Sequence, residues 1–592
     1  MKATDYIAKK LLESGCNTAY AVTGGAAVHI LDSFEREGGN IVFFHHEQSA
    51  SLAVGSHFKS CEKLATCVVT SGPGVTNAIT GLVACWLDSV PSIFLSGQSR
   101  LSSLIGDRTG VRQRGNQEVE TKKLVQHHCK KFFQPSTPEE LLSVIDEALY
   151  FCFSGRPGPV WIDFPLDLQW ADLDLEDADL KSSQFKSKKP NIEILDSNEL
   201  YLDTLIEDLE KYKKPIILLG TGVTISGSRD IANECLKNLD IPILTTWGAI
   251  GIVDEISEKY VGRPGPLGNR AANIILLESD LIIAIGTHLR SQIIGPTGIE
   301  DLSDKKIYTI HIDENEDKYI ELKNKKFIKA DSKLFLNEFN EALKSNNIIE
   351  KPEWKKYSNK VKKLEQIKTK LVESKGTIDP YKLFEYITYN FYDRCHYVVD
   401  GGGTVTQMGM QSIKTARNQH VILSNGLTLM GSGLPEAIGS YQACKKPVIL
   451  LIGEGSLQFN IQELATIKYH QMKIIILVID NGGYLSIQNT QKQFLEGRSL
   501  GTSNNSGLCF PSIEFIAKSY GLEFESISSE DDFHLIENTF NSSKPTLIDV
   551  KSNRERMVEP RVAFQYSEKL KRNITLPLSK MDPQIDTKFI LD

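Results

Sequence analysis

The sequence predicts an α/β protein made of three doubly wound parallel-sheet domains. At 592 residues the chain is too long to fold around a single hydrophobic core. Apolar, β-branched runs alternate with helical segments through most of its length, which is the pattern of a parallel sheet covered by helices on both faces. Two polar segments, 176–200 and 346–375, divide this alternation into three blocks.

The first domain is expected to cover residues 1–175. Its predicted strands are the apolar runs at 19–23, 41–44, 64–70 and 92–96. The lysine-rich segment 176–200 that follows lacks apolar periodicity, so we interpret it as a solvated linker.

The central domain, 200–345, and the third domain, 376–555, continue the same alternation. The central apolar runs lie at 215–220, 241–245, 281–286 and 307–313. Between these domains, the charged stretch 346–375 predicts an exposed connector helix, and residues 556–592 are interpreted as an irregular tail. No close internal sequence repeat is visible, although the first and third domains could share a fold.

Composition and charge restrict the class of protein and its partners. The chain is 41% hydrophobic and 24% charged, which is ordinary for a globular domain protein. Its net charge of −8 argues against nucleic acid, and no uninterrupted apolar stretch reaches membrane-spanning length. The N-terminus has an amphipathic helix pattern, and the ten cysteines include no CxxC pair. We therefore expect buried free thiols, no membrane partner and a cytoplasmic location.

The most informative stretch is 448–483, which predicts a β-α-β unit with an oxygen-rich turn after each strand. The first apolar run ends in GEGS and the second in DNGG. Because parallel strands end at the same sheet edge, Glu454 and Asn481, 27 positions apart, are expected to meet. One carboxylate, one amide oxygen and nearby backbone carbonyls suit a Mg²⁺ ion that also holds phosphate oxygens.

The same turns suit a diphosphate. Gly453 and Gly455 allow the backbone to approach a ligand closely. The N–H groups that open the next helix, around Ser456, are free to bind phosphate oxygens. The ordinary alternative is a Rossmann-like strand–turn–helix in which the glutamate has no ligand role.

This stretch resembles the thiamine-diphosphate (ThDP) motif, which is normally GDG followed by an asparagine at this spacing. Glu454 stands where the family usually has aspartate. The resemblance implies Mg²⁺ ligands at Glu454, Asn481 and Gly483. It also implies cofactor contacts at Gly453, Gly455, Ser456, Asn481, Gly483, Tyr484 and Leu485.

The first block carries two further motifs. Residues 70–98 resemble the acetohydroxyacid synthase (acetolactate synthase) pattern almost position for position, and FFHHEQSASLAVG resembles the RHEQGA-like motif of ThDP enzymes. In that motif a glutamate bonds pyrimidine N1′ and favours the imino tautomer that removes the C2 proton. The resemblance gives this catalytic role to Glu47 and places the turn from Pro73 to Asn77 beside the aminopyrimidine. Without the resemblance, Glu47 would simply complement a helix dipole.

In the third block, SNGLTLMGSGLPEAIGS resembles the family's SGGLGTMGFGLPAAIGA. This implies that Met430 is an apolar wedge under the thiazolium and that the backbone near Thr428 contacts the aminopyrimidine. Gly402, Gly403 and Thr404 align with the family's diphosphate contacts. The alternatives are a flexible core methionine and a plain glycine turn.

Gln117-Glu118 resembles the family's FQE motif, in which the glutamine reaches the reacting substrate. Here Asn116 replaces the phenylalanine, which weakens the transfer of substrate contacts to this chain. His45 and His46 flank Glu47. We interpret them as hydrogen-bonded structural histidines, although one of them could touch substrate.

Other segments depart from the pattern. Thr490 occupies the position of a family tryptophan that selects larger keto acids, so ordinary acetolactate or acetohydroxybutyrate formation is not expected. GTHLRSQIIG at 286–295 replaces a flavin-contacting stretch, which leaves FAD binding open. Residues 506–521 and the EPR tripeptide of the tail resemble a subgroup associated with surface-polysaccharide or sugar-nucleotide pathways, which implies a keto sugar as acceptor.

The resemblance spans roughly 1–555 and implies pyrimidine-binding, central and diphosphate-binding domains in that order. The implied activity is transfer of an acyl unit from a decarboxylated 2-keto acid, pyruvate, to a carbonyl acceptor. A simple decarboxylase, a flavin-linked oxidase and a catalytically silent regulatory or binding protein remain alternatives. In this family the cofactor lies between the first domain of one subunit and the third of another, so a homodimer is the minimum and a tetramer is common.

Overall fold

A computed structural model describes residues 1–106, 110–175, 201–346, 348–369, 375–568 and 572–585. Three six-stranded sheets, each wholly parallel, follow one another along this part of the chain. The prediction of three parallel-sheet α/β domains is therefore confirmed. The linker interpretation of 176–200 concerns residues outside the described ones.

The first domain has the strand order β2-β1-β3-β4-β6-β5. Its strands are β1 Thr18–Ala21, β2 Asn40–Phe43, β3 Thr66–Val69, β4 Ser92–Gln98, β5 Phe132–Phe133 and β6 Pro159–Pro165. Its helices are α1 Ala3–Glu13, α2 Val28–Arg36, α3 Glu47–Cys61, α4 Pro73–Leu87, α5 Thr121–Val125, α6 Leu141–Phe153 and α7 Leu166–Gln169, with a 3₁₀ turn at Leu101–Ser103.

The central domain has a different order, β10-β9-β7-β11-β12-β13. Its strands are β7 Pro215–Leu219, β8 Leu239–Asp240, β9 Ile243–Thr245, β10 Tyr260–Gly262, β11 Leu281–Ile285, β12 Lys306–His311 and β13 Lys325–Lys329, and β8 pairs with β14 Ile349–Glu350. Its helices are α8 Leu202–Lys211, α9 Thr221–Ile225, α10 Arg229–Lys237, α11 Arg270–Glu278, α12 Ser291–Ile294, α13 Gly298–Asp301, α14 Glu314–Lys318, α15 Ser332–Lys344 and α16 Pro352–Lys362. The 3₁₀ turns are Trp247–Ala249 and Lys363–Gln366.

The third domain repeats the strand order of the first as β16-β15-β17-β18-β20-β19. Its strands are β15 His396–Val399, β16 Val421–Ile422, β17 Val448–Gly453, β18 Ile474–Asp480, β19 Glu523–Ile527 and β20 Thr546–Lys551. Its helices are α17 Pro380–Asn390, α18 Gly403–Ser412, α19 Gly433–Cys444, α20 Glu454–Leu457, α21 Glu463–Tyr469, α22 Leu485–Phe494, α23 Ile513–Tyr520 and α24 His534–Asn541, with 3₁₀ turns at Asn504–Ser506 and Glu530–Phe533.

Two sequence predictions about connecting segments are wrong in part. The stretch 346–375 contains a helix as predicted, α16, but this helix is not simply exposed. It buries Trp354 and Val361 against the central core because apolar residues recur on one face of a charged helix. The tail is not simply irregular. It forms the antiparallel strand pairs β21 Arg561–Val562 with β24 Met581–Asp582 and β22 Phe564–Ser567 with β23 Arg572–Thr575.

The first and third domains share one hydrophobic core. Helix α3 packs on α19 so closely that a Cβ on Gly439 would lie 2.1 Å from Ser56 Oγ and 2.3 Å from the Ala53 carbonyl. Small residues on both helices therefore permit an approach that larger side chains would block. The central domain is tied to the third by the buried Arg263 guanidinium, which donates to the carbonyl oxygens of Met410 and Ile413, both at 2.8 Å.

Seven of the ten cysteines are buried free thiols, as expected, while Cys61 is half-buried and Cys444 and Cys509 are exposed. Within the described residues, no helix combines the length and the apolar character that crossing a membrane requires.

Candidate active site

The carboxyl ends of β17 and β18 bring Glu454 and Asn481 together. The two strands pair in register up to Gly453 and Ile479, so their following turns lie side by side. Both side chains are buried, with 3% and 5% of their surface exposed. Glu454 Oε1 accepts a hydrogen bond from the Gly483 backbone N–H, which joins the two turns directly.

Two oxygens at this junction have no hydrogen-bond partner: Glu454 Oε2 and Asn481 Oδ1. Burial raises the pKa of Glu454 to about 7, although the Gly483 N–H favours the carboxylate. Unpaired buried oxygens are costly, and a divalent cation would satisfy both. Among the described residues, no group of three or more His, Cys, Asp or Glu converges to form a metal site. The unpaired donors here are instead one carboxylate oxygen and one amide oxygen, which fits a hard cation that keeps other ligands.

Close packing explains the glycines of these turns. A Cβ on Gly455 would lie 2.2 Å from the Tyr484 ring, and one on Gly483 would lie 2.1 Å from the Thr502 carbonyl oxygen. Gly483 also has a φ of +116°, which L side chains rarely adopt. Predicted residues Gly455, Gly483 and Tyr484 therefore lie together around Glu454.

The turn after β15 contacts the segment that carries the predicted wedge. A Cβ on Gly402 would lie 3.3 Å from Met430 Cγ and 3.4 Å from the Thr428 carbonyl oxygen. Gly402, Gly403 and Thr428 all have positive φ angles, of 89°, 77° and 51°. Met430 is half-buried and Thr428 is exposed, so this surface is open to a ligand.

Asp400 fixes the end of that segment. Its buried carboxylate accepts the backbone N–H of Gly431 at 3.1 Å and of Gly433 at 2.7 Å. Burial raises the pKa of Asp400 to about 7, while a hydrogen bond from Ser456 lowers it. Ser456, in the GEGS turn, therefore lies close to Asp400.

The remaining predicted residues of the third domain lie behind this surface. Thr404 and Leu485 are buried, with 7% of their surfaces exposed, and they line a small cavity together with Asn481. The two side chains therefore lie near Asn481 on its interior side, whereas a Cβ on Gly403 would meet open space.

In the first domain, tight packing of α3 against α4 sets Glu47 beside Asn77. A Cβ on Gly81 would lie 2.2 Å from Ser51 Oγ, so the small residues of both helices are needed for this approach. Both helices begin at the carboxyl edge of the sheet, and Asn77 Nδ2 donates to Glu47 Oε2 at 2.9 Å. Glu47 and Asn77 are half-buried, and Pro73 at the start of α4 is exposed.

The two histidines before Glu47 have different environments. His46 caps α3, with Nδ1 accepting the Gln48 backbone N–H at 3.2 Å. His45 is held by its backbone: the buried Glu463 carboxylate of the third domain accepts its N–H at 3.3 Å. The structural interpretation therefore holds for His46, and the His45 side chain is exposed.

Gln117 lies over the Gly72 turn that precedes Pro73. A Cβ on Gly72, whose φ is +64°, would lie 2.5 Å from the Gln117 carbonyl oxygen. Gln117 itself is exposed and has a φ of +56°. The neighbouring Glu118 is buried and accepts the N–H of Gly115 at 2.7 Å and of Arg114 at 3.0 Å, which fixes this loop.

The first-domain group around Glu47 and the third-domain group around Glu454 remain separate within one chain. In the described part of the structure, no hydrogen bond joins the Glu47 side chain to Thr428, Met430 or Glu454. Asn460 bridges the domains, with Nδ2 donating to the Gly431 carbonyl oxygen at 2.7 Å. Its Oδ1 accepts from Ser49 Oγ at 2.9 Å.

A cavity of about 580 Å³ lies where all three domains meet. The central domain contributes the turns after β7, β11 and β12, including Gly222, His288 and Asp313. The strand order reverses between β7 and β11, and ligands of open α/β sheets bind at such a switch point. Arg156 of the first domain also lines the cavity and donates a hydrogen bond to the Asp313 carboxylate at 2.9 Å. Residues of segment 286–295, which replaces the family's flavin-contacting stretch, form part of the lining of this cavity.

Sequence reasoning missed the residues that hold these loops in place: Asp400, Asn460 and Glu463. Each is a buried polar group whose partners are backbone atoms or side chains far away in sequence. The single available signal is that charged or amide residues interrupt otherwise apolar segments, and this does not identify the partner.

Family profiles match all three domains. The "Thiamine pyrophosphate enzyme, N-terminal TPP binding domain" profile matches residues 1–124, and its central-domain counterpart matches 202–339. The "C-terminal TPP binding domain" profile of the same family matches residues 401–550. The N-terminal match contains the residues around Glu47, and the C-terminal match contains those around Glu454.

Curated relatives align along nearly the whole chain. The acetolactate synthase isozyme 2 large subunit of Escherichia coli (strain K12) is 26% identical over 565 residues, 95% of this chain and 97% of the relative. The acetolactate synthase large subunit of Lactococcus lactis subsp. lactis (strain IL1403) is 28% identical over 582 residues, 94% of this chain and 93% of the relative.

Proposed function

Because the chain belongs to the thiamine-diphosphate enzymes of the acetolactate-synthase-like family, we propose that it transfers an acyl unit from a decarboxylated 2-keto acid to a carbonyl acceptor. The observation that carries this proposal is the pair of unpaired buried oxygens, Glu454 Oε2 and Asn481 Oδ1, beside an open glycine turn. The names of the relatives support ligation, and we take pyruvate as the donor.

The third domain is proposed to hold the cofactor's charged end. Glu454, Asn481 and the Gly483 carbonyl would bind Mg²⁺, while Gly402, Gly403, Thr404, Gly453, Gly455 and Ser456 would surround the diphosphate. Tyr484 and Leu485 would complete its wall. When bound, ThDP supplies the carbanion chemistry that expels carbon dioxide and carries the acyl unit.

The first domain is proposed to supply the carboxylate that promotes removal of the cofactor's C2 proton. Glu47 would bond pyrimidine N1′, with Asn77 orienting its carboxylate from 2.9 Å. Met430 would wedge the cofactor into its bent form, with the Thr428 backbone and Pro73 against the pyrimidine. Gln117, exposed above the same edge, would contact the reacting substrate.

A homodimer is the proposed minimum unit, and a tetramer is compatible with it. Asp88, at the end of the 15-residue α4, accepts the backbone N–H of Gly426, whereas Asn77 lies near the start of that helix. Asn77 and Asp88 are 11 residues apart on this helix, which is roughly 16 Å along its axis, so Asn77 lies far from the Gly426 turn. This separation supports a site shared between two subunits.

Mixing two inactive variants tests the shared site. In a mixed dimer of Glu47→Gln and Glu454→Ala subunits, one site would regain both groups, so activity should return on mixing after subunit exchange. Each variant mixed with itself is the control. If mixed dimers form, shown by differently tagged subunits, and stay inactive, the shared site is refuted.

Product analysis tests the reaction. The protein is incubated with ThDP, Mg²⁺ and a panel of 2-keto acids, with and without keto sugars and smaller carbonyl acceptors, and carbon dioxide and product mass are followed. Acceptor-dependent ligation supports the proposal. Free aldehyde alone would identify the decarboxylase alternative, and absence of carbon dioxide with every keto acid would favour a silent binding or regulatory protein.

A keto sugar is the proposed acceptor. Thr490 is exposed on α22, and its hydroxyl donates back to the Ser486 carbonyl oxygen at 3.0 Å, so it adds little bulk. Thr490→Trp should restrict ligation to small acceptors. Unchanged acceptor preference would show that Thr490 does not determine the size of the acceptor.

A flavin-linked oxidase is the second candidate, favoured by the central cavity alone. A flavin would give the purified protein a yellow colour that pyruvate bleaches. Colourless protein that binds no added FAD in calorimetry would exclude this candidate.

A further inference from the structure

We propose that Lys59 and Asp88 of the first domain are positioning residues for segment 423–431 of the third domain, and through it for Thr428 and Met430. This inference rests on the proposed function, which places Thr428 and Met430 against the cofactor. Neither residue of the pair belongs to the groups assigned above to metal, diphosphate or proton transfer.

Asp88 reaches across the domain junction from the end of α4. Its Oδ1 accepts the Gly426 backbone N–H at 2.8 Å, and its Oδ2 accepts the Asn425 N–H at 3.1 Å. Gly426 fits tightly here, because a Cβ would lie 2.5 Å from Leu87 Cβ. The carboxylate therefore accepts hydrogen bonds from two successive backbone N–H groups shortly before Thr428.

Lys59 completes the contact from α3. Its Nζ donates to Asp88 Oδ2 at 2.6 Å and to the Leu423 carbonyl oxygen at 2.7 Å. The two side chains are 14% and 4% exposed, so water screens the pair little. One ammonium thus neutralises the buried carboxylate and binds the start of the same segment.

The segment is held at its two ends by different domains. Lys59 and Asp88 hold residues 423–426, whereas Asp400 and Asn460 of the third domain hold Gly431. Thr428 and Met430 lie between these anchors, and Thr428 has a left-handed backbone with φ +51°. Such a conformation is kept only when its surroundings fix it, so loss of one anchor should let the residues between them move.

Removing either charge should lower kcat and ThDP affinity without abolishing ThDP binding. For Asp88→Asn and Lys59→Met we expect kcat to fall about 10- to 100-fold, the cost of misplacing a reacting group by about 1 Å. ThDP should also bind more weakly in calorimetry at saturating Mg²⁺, a readout that needs no turnover. The KM for the keto acid should stay near the wild-type value, because neither residue contacts that substrate.

Conservative exchange separates positioning from folding. Lys59→Arg keeps a charge able to bind both acceptors, so it should recover most of the ThDP affinity and kcat that Lys59→Met loses. If Asp88→Asn fails to fold, the Lys59 pair of variants still decides the question. Equal losses in Lys59→Arg and Lys59→Met, or none in either, would overturn the inference.

The chain offers a matched control in Lys10 and Asp146. This first-domain pair is similarly buried, with 11% and 12% exposure, and does not contact segment 423–431. Asp146→Asn should leave ThDP affinity and kcat unchanged. A loss equal to that of Asp88→Asn would reduce the proposed role to general stability.

Met430→Ala, measured in parallel, distinguishes this inference from the proposed function. If Met430→Ala lowers kcat and the Lys59 and Asp88 variants do not, only the positioning role fails. If Met430→Ala has no effect, the wedge role of the proposed function fails first.

Discussion

The first and third domains share one strand order but use the same sheet edge differently. At the edge of the first, Glu47 is half-buried and already bonded to Asn77. At the edge of the third, Glu454 is buried and keeps one oxygen unpaired beside that of Asn481. The same framework thus presents a hydrogen-bonded carboxylate in one domain and two buried oxygens without hydrogen-bond partners in the other. The burial and pairing of edge side chains, rather than the topology, separate the two roles.

Removing the carboxylate of the first domain tests its half of the comparison. Glu47→Gln keeps the shape and the bond to Asn77 but removes the charge. We expect turnover to fall about 10²- to 10⁴-fold, with ThDP binding nearly intact. Steady-state kinetics and calorimetry measure both, and Glu13→Gln on the exposed end of α1 is the control. Unchanged turnover would refute the role of Glu47.

Removing the carboxylate of the third domain should have the opposite signature. Glu454→Ala should lose Mg²⁺-dependent ThDP binding by more than the roughly 10- to 100-fold cost of removing an outer-shell partner. Glu454→Asp should retain binding, with altered metal preference because its arm is shorter. Titrations of Mg²⁺ and Mn²⁺ measure this, with Glu514→Gln, a half-buried carboxylate paired with Lys518 at 2.6 Å, as the control. If Glu454→Ala binds Mg²⁺ and ThDP normally, Glu454 does not have the proposed ligand role.

A glycine exchange sharpens the comparison at the first-domain edge. Gly72→Ala places a Cβ against the Gln117 carbonyl oxygen at a φ of +64°. Holding alanine at φ +64° and ψ −110° should cost about 1–3 kcal/mol of unfolding free energy, and displacement of Gln117 should lower kcat. Gly15→Ala shares the positive φ of +84° but meets open space, so it controls for strain. Equal kcat in the two variants would separate Gln117 from catalysis.

The last prediction concerns the pH dependence of stability, and no effect on turnover is expected from it. Burial raises the pKa of Glu436, on α19, from 4.5 to about 8, while Lys59 opposes the shift. A carboxyl whose pKa is raised on folding stabilises the protein fully below the lower value and progressively loses that contribution as pH rises toward the higher one. Wild-type unfolding free energy should therefore fall between about pH 5 and 8, and Glu436→Gln should flatten this slope. Denaturant unfolding across this range measures it; parallel slopes would contradict the assignment.

Local sequence pattern was sufficient for the sheets and for the Glu454–Asn481 junction. Alternating apolar runs identify parallel strands, and the ends of such strands must share an edge, so those two residues had to approach. The helix around Trp354 was predicted, but its partial burial was not, because charged residues outnumber its few buried apolar positions. The Lys59–Asp88–Gly426 contact was beyond sequence reasoning, because it depends on how α3 and α4 dock against a segment far along the chain.

Polar contacts that cross the domain junctions have a consequence for fragment complementation. Lys59 and Asp88 join the first domain to the third, Arg156 joins it to the central domain, and Arg263 ties the central to the third. The domains are therefore held together by these polar contacts as well as by the connecting chain. Fragments 1–175 and 176–592, produced from separate genes in one cell, should associate into a functional split protein. Chimeras with relatives will need to transplant both sides of each junction together.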